Sequence, residues 1–217
     1  MTDQSTRPRR GCLFYGGLIF GGLLLLLALG IFLGVRYGMS IIERYTDTAP
    51  MTLPVVKVSD EELGRIRERL AAFGRALDEN RPVGPLRISS RDVNALIQND
   101  PALKELNGRA YVTFTNGEIR AQVSLPGDLL GLRPLRGRYL NASGVFRVVV
   151  RDGQLWVTAD SLSAKGNPLP NAFMKQIRGQ NLAENYVQEP GTRRTLGRLK
   201  DISVEGDSLV VVPANAP

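Results

Sequence analysis

Residues 110–123 read AYVTFTNGEIRAQV, and this stretch specifies its own strand pairing. Asn116-Gly117 suits a two-residue type I′ turn, because both central residues of that turn need a positive φ. A turn at this point places apolar residues opposite each other on one face: Phe114 with Ile119, Val112 with Ala121 and Ala110 with Val123. Because the polar residues then fall on the other face, turn chemistry and hydrophobic alternation predict the same antiparallel hairpin.

Two further stretches show the same agreement between turn residues and apolar residues. A turn at Asp152-Gly153 pairs Val150 with Leu155, Val148 with Val157, Phe146 with Ala159 and, on the other face, Val149 with Trp156. A turn at Gly206-Asp207 pairs Val204 with Leu209 and Ile202 with Val211. We therefore expect three hairpins, and so at least six strands, in an antiparallel sheet.

An amphipathic helix is predicted before the hairpins, over residues 59–79. Ser59 and Glu62 have the spacing of a capping box, and the first turn is acidic. One apolar stripe follows at spacings of three and four residues: Leu63, Ile66, Leu70, Phe73 and Leu77. The stripe needs a partner surface, and the sequence leaves open whether it lines an apolar groove or fills a core.

Residues 89–103, SSRDVNALIQNDPAL, contain the residue types from which many active sites are built. The same residues are also typical of two helix starts. Ser89 or Ser90 is expected to cap the first helix, and Asp100 is expected to cap the second, with Pro101 at its first position. We therefore interpret this cluster as structural.

Helices also separate the last two predicted hairpins. One is expected over Asn171–Tyr186, weakened in the middle by Gly179, and a short one is expected from Pro190 to Leu199. Strands and helices do not alternate as they do in a parallel sheet. The expected fold class is therefore α+β, with an antiparallel sheet packed on helices.

The N-terminal region is typical of a membrane anchor. Residues 12–35 carry no charge, and at about 1.5 Å per residue they suffice to cross a hydrocarbon core about 30 Å thick. The sequence thus predicts four regions: an N-terminus over residues 1–11, a transmembrane helix over 12–36, a connector over 37–58 and an extracytoplasmic domain over 59–217.

The charges beside this span predict its orientation. Arg7, Arg9 and Arg10 precede it with Asp3 as the one acid, so the N-terminus is expected in the cytoplasm and the main domain outside it. This describes a single-pass protein of the cytoplasmic membrane. A cleavable signal peptide is the alternative, but its apolar core is usually about 7–15 residues long with a small-residue cleavage site after it. A signal anchor is therefore favoured.

Small residues in the span allow two copies to pair in the membrane. Gly17-x-x-x-Gly21 and Gly30-x-x-x-Gly34 have the spacing that lets helix backbones approach closely. A homodimer through the transmembrane helix is accordingly one expectation for the assembly.

The composition argues against most catalytic chemistry. The 217-residue chain has no histidine and a single cysteine, Cys12, which excludes Ser-His-Asp and Cys-His nucleophiles, histidine-ligated metals and internal disulfides. It has no phosphate-binding, dinucleotide-binding or calcium-binding loop motif. We therefore expect no enzyme activity, no cofactor and no metal. The net charge of +7 comes from interspersed basic and acidic residues, so nucleic acid is not an expected partner either.

Three segments after the span carry a family resemblance: LRISSRDVNALI at residues 86–97, AQVSLP at 121–126 and GRYLNASGVFRVVVRDGQLWV at 137–157. With them the chain resembles the YpmS-like group of bacterial membrane-anchored proteins, which are similar in plan to small TULIP-type domains. The resemblance covers roughly residues 86–213. It implies a curved antiparallel sheet that wraps a long helix and encloses a lipid-sized apolar groove, and it implies no catalytic residues.

Together these features predict a non-catalytic binding module that holds or passes a lipid or another apolar ligand at the outer face of the membrane. The candidate groove residues are Leu63, Ile66, Leu70, Phe73, Leu77 and Trp156. The candidate contacts to lipid headgroups are Arg133, Arg136 and Arg138. The alternative is an interaction or scaffold protein of a cell-envelope complex, with a sheet edge or the helix stripe facing a protein partner.

Overall fold

The computed structural model of this protein describes residues 11–131, 133–151, 154–184 and 190–216. The chain forms two compact units, of which the first ends at Arg44 and the second begins at Tyr45. The fold class is α+β, as predicted, with one apolar N-terminal helix and two antiparallel sheets. The cytoplasmic N-terminus predicted for residues 1–11, except Gly11, and the predicted turn at residues 152–153 lie outside the described residues.

The first helix, α1, spans Gly11–Tyr45. Its part from Leu25 to Tyr45 is long and apolar enough to cross a membrane. The predicted span ended at residue 36, and the predicted connector began at residue 37. The helix continues past that point because residues 37–45 contain no proline and only one glycine, Gly38.

The second helix, α2, spans Asp60–Asp78 and is capped as the sequence predicts. The Ser59 hydroxyl oxygen accepts a hydrogen bond from the backbone N–H of Glu62 at 3.1 Å. The apolar stripe is turned into the second unit: Leu63, Ile66, Phe73 and Leu77 are buried, and Leu70 is half-buried. The helix therefore contributes its stripe to a hydrophobic core.

Five strands form the larger sheet: β2 (Ala110–Thr115), β3 (Glu118–Pro126), β4 (Tyr139–Arg151), β5 (Gln154–Ala164) and β6 (Asn167–Pro168), in that order across the sheet. β2 and β3 pair with Phe114 opposite Ile119, Val112 opposite Ala121 and Ala110 opposite Val123, which is the register predicted from Asn116-Gly117. Asn116 and Gly117 both have positive φ, as a type I′ turn requires.

Three strands form the smaller sheet: β1 (Leu86–Ser89), β7 (Leu199–Glu205) and β8 (Ser208–Pro213), in the order β1-β8-β7. The pairs Val204–Leu209 and Ile202–Val211 are those predicted from Gly206-Asp207. The sequence predicted one sheet, whereas the structure has two, because the short strand β1 pairs with β8 and extends the last hairpin by itself.

The main core lies between the smaller sheet, α2 and one end of the larger sheet. Buried residues from α2 and the smaller sheet meet here: Phe73, Leu77, Leu86, Ile202 and Val211. Half-buried residues of the larger sheet pack against them: Val148, Val150, Leu155 and Val157. These residues alternate along β4 and β5, so they share one face of the larger sheet.

A β-bulge divides that face into two parts. Val145 lies opposite Ser161 and Phe146 lies opposite Ala159, which leaves Asp160 unpaired in the ladder. Bulges bend the bulged strand and increase its local twist. On one side of the bulge the apolar face of the sheet covers the main core, and on the other side it faces a different set of side chains, described below.

Helix α3 (Ser90–Asn99) closes the outer edge of β2. The Asn94 side chain is fully buried; its Oδ1 accepts a hydrogen bond from Val112 N at 2.8 Å, and its Nδ2 donates to Val112 O at 2.6 Å. The Ser90 hydroxyl oxygen accepts from Phe114 N at 2.7 Å. The two side chains therefore occupy the hydrogen-bonding positions of a neighbouring strand.

Asn181 performs the same task at the opposite edge of the sheet. Its Oδ1 accepts from Val157 N at 3.0 Å, and its Nδ2 donates to Leu155 O at 2.8 Å. Strand β6 pairs only with Ser163 and Ala164 of β5, so residues 155–157 of β5 are an edge of the sheet. Among the described residues, β2 and this part of β5 thus each carry an asparagine amide in place of a further strand, which limits pairing with another chain at these points.

The segment after α1 is part of the second unit and is hydrogen-bonded to it. Residues 46–58 were predicted as part of an extended connector. Asp47 forms an isolated bridge with Tyr139, Met51 N donates to the Asn141 side chain at 3.0 Å, and Val56 N donates to Gln98 Oε1 at 2.9 Å. The polar side chains of the domain therefore hold this segment in place.

The C-terminal helices are shorter than predicted. α4 spans Asn171–Ile177, whereas the sequence predicted a helix over Asn171–Tyr186; residues 185–189 lie outside the described residues. It ends before Gly179, and Asn181 is recruited by β5 rather than by a helix. The next helix, α5, spans Pro190–Leu196 and buries Leu196 in the main core.

We expect Asn94→Leu to destabilise the second unit by about 2–4 kcal/mol, because the N–H and C=O of Val112 lose their partners in a buried position. The measurement is chemical denaturation of the full chain in detergent, followed by the fluorescence of Trp156, the single tryptophan. Asn99→Ala is the matched control, since Asn99 is exposed and its side chain bonds only Ala95 O within the same helix. We expect a change below about 1 kcal/mol there, and equal losses for the two variants would contradict the role given to Asn94.

Two half-buried carboxylates link stability to pH. The hydrogen bond from the Arg91 guanidinium lowers the pKa of Glu62 below its ordinary value of 4.5. The hydrogen bond from the backbone N–H of Ala102, with a further contribution from Arg67, lowers the pKa of Asp100 below 3.8. Both carboxylates hold protons less tightly in the folded state than in the unfolded state. Their contribution is therefore complete above the ordinary carboxylate range and is lost as the pH falls through the lowered pKa values.

We expect the double variant Glu62→Gln/Asp100→Asn to flatten the decline of the unfolding midpoint on acidification, because neither new side chain titrates. Thermal unfolding from neutral pH down through the carboxylate range would measure this for both proteins. Parallel declines would show that other groups control acid stability.

Candidate functional site

An apolar groove of about 400 Å³ lies on the face of the larger sheet beyond the bulge. Its floor is formed by alternate residues of β3, β4 and β5, and its roof is formed by helix α4 together with Leu169. The lining residues are Tyr45, Ala121, Val123, Leu140, Ala142, Ser143, Gly144, Phe146, Leu162, Ser163, Ala164, Leu169, Phe173 and Ile177. The accessible wall of the groove is almost wholly apolar.

Small residues create the space above the floor. Ala142 lies opposite Ala164 across β4 and β5, and Ala121 lies opposite Gly144 across β3 and β4. Four small residues in neighbouring register leave a volume that larger side chains in the same positions would fill. The groove therefore exists because the side chains on this part of the sheet are small.

Gly144 is fixed at the centre of the floor by its neighbours. A Cβ atom placed on it would lie 2.7 Å from side-chain atoms of both Leu162 and Phe146. Those two side chains therefore pack over the glycine and define the floor between the alanines. Any larger residue at position 144 would push them upward into the groove.

The short helix α4 forms the roof. Met174 is its buried attachment point, with 3% of its surface exposed, whereas Phe173 one residue earlier is 47% exposed and still lines the groove. The Arg178 Nε donates to the backbone oxygen of Asp160 at 3.2 Å, so the residue left unpaired by the bulge holds the end of the helix. The buried Met174 and the Arg178 hydrogen bond therefore attach this helix to the sheet.

Polar side chains hold the incoming chain at one end of the groove. Asn141 Oδ1 accepts from the Ser124 hydroxyl at 2.8 Å, and Asn141 Nδ2 donates to Asp47 Oδ2 at 2.8 Å. Lys165 lies 3.5 Å from the other Asp47 oxygen. The side chains of Asn141, Ser124 and Lys165 therefore bind residues 47–51, which follow α1 in the chain.

The opposite face of the same sheet is polar. Thr113, Arg120, Gln122 and Ser161 line a shallow depression there, and the hydroxyls of Ser143 and Ser163 lie 2.7 Å apart. At the groove, the floor strands therefore carry small or apolar side chains on the groove face and mainly polar side chains on the other, where Val145 is an apolar exception.

The predicted groove residues lie elsewhere in the domain. Leu63, Ile66, Phe73 and Leu77 are buried, Leu70 packs beside the main core, and none of the five borders the groove that the structure describes. Trp156 lies opposite Val149, on the other face of the sheet from the groove. The stripe of α2 fills the core because the smaller sheet, which the sequence did not separate from the larger one, supplies its partner surface.

The three predicted headgroup contacts divide into two kinds. Arg133 and Arg136 are exposed in the loop between β3 and β4. Arg138 instead turns inward; its Nε donates to the Thr46 hydroxyl at 2.6 Å and a terminal nitrogen donates to the Thr46 carbonyl oxygen at 3.0 Å. Two of the three predicted arginines are therefore accessible for headgroup contact, whereas Arg138 binds the segment that follows α1.

The groove residues carry a weak signal in the sequence. Ala121, Ala142 and Ala164 follow the apolar phase of their strands, as core residues also do. Only the concentration of small residues on neighbouring strands distinguishes them, and that concentration depends on the pairing register. Among the described residues there is no group of three histidine, cysteine or acidic side chains able to hold a metal ion.

In comparisons with known proteins, no family model, no curated protein and no solved structure matches the chain. The resemblance to YpmS-like proteins and to TULIP-type domains therefore stays a prediction.

We expect Ala142→Leu to change the free energy of unfolding by less than about 1 kcal/mol, because the larger side chain enters empty space. Ala159→Leu is the matched comparison, since Ala159 belongs to the same sheet but is only 1% exposed. There the added atoms overpack a filled region, and we expect a loss of about 1–3 kcal/mol. Chemical denaturation of both variants measures the difference, and an equally large loss for Ala142→Leu would mean that the groove is not a usable space.

Proposed function

We propose that this protein is a membrane-anchored, non-catalytic binding module that holds or passes the acyl chain of a lipid, or a similar apolar ligand, at the outer face of the cytoplasmic membrane. The groove beneath α4 is the observation that carries the proposal. It is a concave site with apolar walls in a chain that also has a helix suited to a membrane.

The size of the groove favours a slender ligand. Its volume of about 400 Å³ lies in the lower part of the range of roughly 300–1,000 Å³ that is common for small-molecule sites. A single hydrocarbon chain gains from burial at about 0.8 kcal/mol per methylene group and needs no polar partner inside. One acyl chain in the groove with the polar end of the lipid outside is the arrangement that fits best.

The lining residues favour binding over chemistry. Among the residues that line the groove, Tyr45 has a polar side chain; Ser143 and Ser163 also line it, but their hydroxyls bond each other on the opposite face of the sheet. No lining residue is a carboxylate, a lysine, a cysteine or a histidine. The lining residues therefore provide neither the side chains of a general acid–base pair nor a base that could activate a nucleophile.

The membrane placement belongs to the same proposal. The arginines at residues 7–10 keep the N-terminus in the cytoplasm, the apolar helix crosses the membrane once, and the second unit lies outside the cytoplasm. Tyr45, which lines the groove, directly follows Arg44 in the chain. A lipid ligand would then come from the membrane that holds the anchor.

The second candidate function is that of an interaction or scaffold protein of the cell envelope. The polar depression around Arg120 and Gln122 favours it, because it is an open surface of hydrogen-bonding groups. The helix stripe is a poorer surface for a partner, since it is buried, and the edges of the larger sheet are occupied at Val112 and Val157.

Photo-crosslinking in intact membranes tests the lipid proposal. Cells that express the full chain are given palmitic acid with a diazirine group in its acyl chain, and the labelled peptides are identified by mass spectrometry after irradiation. We expect label on the groove walls, within residues 140–146 and 162–177. We also expect the double variant Ala121→Leu/Ala142→Leu to lose most of it, because the added side chains occupy the acyl site.

The matched control is Gln122→Leu/Ser161→Leu, which adds two leucines to the opposite face of the same sheet. This variant should keep the label. Label distributed equally over wild type and both variants would reject the groove as a lipid site. A benzophenone amino acid at position 120 tests the scaffold function, which requires crosslinking to one defined envelope protein.

A further inference from the structure

The loop between β3 and β4, residues 127–138, presents an apolar tip to solvent. It consists of two 3-10 turns, Gly127–Leu130 and Arg133–Leu135; residue 132 between them lies outside the described residues. Leu129 is 58% exposed and Leu130 is 37% exposed. Single exposed leucines are ordinary on protein surfaces, and the two adjacent ones here form a small apolar patch at the tip of the loop.

The fold of the loop keeps Leu129 and Leu130 exposed. Gly127 is buried against the second turn: a Cβ atom placed on it would lie 1.9 Å from the backbone oxygen of Leu135. Leu135 is half-buried. The loop thus uses Leu135 to close on itself, and Leu129 and Leu130 remain outside.

Positive charge accompanies the leucines. Arg133 and Arg136 are exposed, and neither side chain has an ion pair or a hydrogen bond within the described part of the chain. Asp128 is the one acid between residues 127 and 138. An apolar tip beside two unpaired guanidinium groups complements a surface with phosphates above hydrocarbon.

The loop also lies where the chain enters the domain. Arg138 at its end grips Thr46, and Tyr139 N donates to the backbone oxygen of Asp47 at 2.8 Å. Thr46 and Asp47 are the second and third residues of the second unit. The segment that follows the anchor in sequence is therefore hydrogen-bonded directly to the base of this loop.

We propose that the 127–138 loop docks on the anionic surface of the bilayer that holds the anchor. Leu129 and Leu130 enter the boundary between headgroups and acyl chains, and Arg133 and Arg136 contact lipid phosphates. The inference rests on the membrane placement proposed above, but it does not require a ligand in the groove.

The expected strength follows from general magnitudes. Each arginine near an anionic surface contributes roughly a fivefold preference, so replacing both should lower the ratio of docked to undocked domains by about 30-fold. Raising the salt concentration should lower the same ratio, because the contacts are exposed to solvent and are screened.

The test uses the full chain in vesicles of phosphatidylcholine with and without phosphatidylglycerol. Cys12 is replaced by serine, and since it is the only cysteine, Leu129→Cys then carries a single environment-sensitive NBD fluorophore. Flotation of the vesicles first verifies that the chain is inserted, so that a failed anchor is recognised separately. Docking is read from quenching of the fluorophore by spin labels attached to the lipid acyl chains.

We expect strong quenching at position 129 in the anionic vesicles, weak quenching in the neutral ones, and loss of the anionic signal in the Arg133→Gln/Arg136→Gln double variant. Thr115→Cys is the matched control, because Thr115 is the last residue of β2 and pairs with Glu118 at the start of the nine-residue strand β3. It therefore lies at the end of that strand away from the loop, roughly 30 Å from it at about 3.3 Å per residue. The label there should stay unquenched.

Three outcomes would overturn the proposal. The label at position 129 could remain unquenched in anionic vesicles with inserted protein. It could be quenched equally with and without the two arginines. It could also be shielded from aqueous iodide in native membranes but not in vesicles of pure lipid, which would assign the loop to a protein partner.

Discussion

The fully buried amide of Asn94 is the interaction on which the arrangement of the domain depends. α3 begins directly after β1, so it is covalently part of the smaller sheet, and Asn94 joins it to Val112 at the edge of the larger one. Ser90 adds a bond to Phe114 and another to Asp207 in the turn between β7 and β8. One helical turn thus fixes the position of two sheets that share no strand. A buried amide is costly unless every bond is made, which is why this junction tolerates one geometry.

With both sheets fixed, the larger one carries two environments on a single face. The bulge at Asp160 marks the change, from Val148, Val157 and the main core on one side to the alanines of the groove on the other. On the core side, close packing of side chains stabilises the fold. On the groove side, the van der Waals contacts that a filled space would provide are missing. Such an unfilled apolar volume costs stability unless something else occupies it. The domain therefore tolerates the unfilled groove because the main core beside it is packed independently.

Local chemistry made part of this fold predictable. The turn at Asn116-Gly117 determined the β2–β3 register, the Ser59 cap located the start of α2, and Asp100 with Pro101 located a 3-10 turn. The sequence did not predict that Asn94 bonds the edge of β2. Its partner Val112 is 18 residues away, and no periodic pattern links an amide side chain to a distant strand edge. The groove was hidden for a related reason: alanines at apolar positions look like core until the strands are aligned. Ser89 and Ser90 resembled reactive groups, and one became a helix cap and the other a strand-edge partner.

The hydrogen bonds to residues 46–57 determine where this molecule can be cut. Asn141, Gln98 and Arg91 bond the backbone of that segment directly, so it belongs to the folded unit although its sequence resembles a spacer. A proteolytic release site inside it would leave those side chains without partners, and a fragment that starts at the α2 cap would lose part of its own structure. The shortest fragment that keeps these bonds therefore begins near Tyr45, where the second unit begins. For the same reason, insertions between Asp47 and Lys57 would disturb the sheet end before they lengthened any tether.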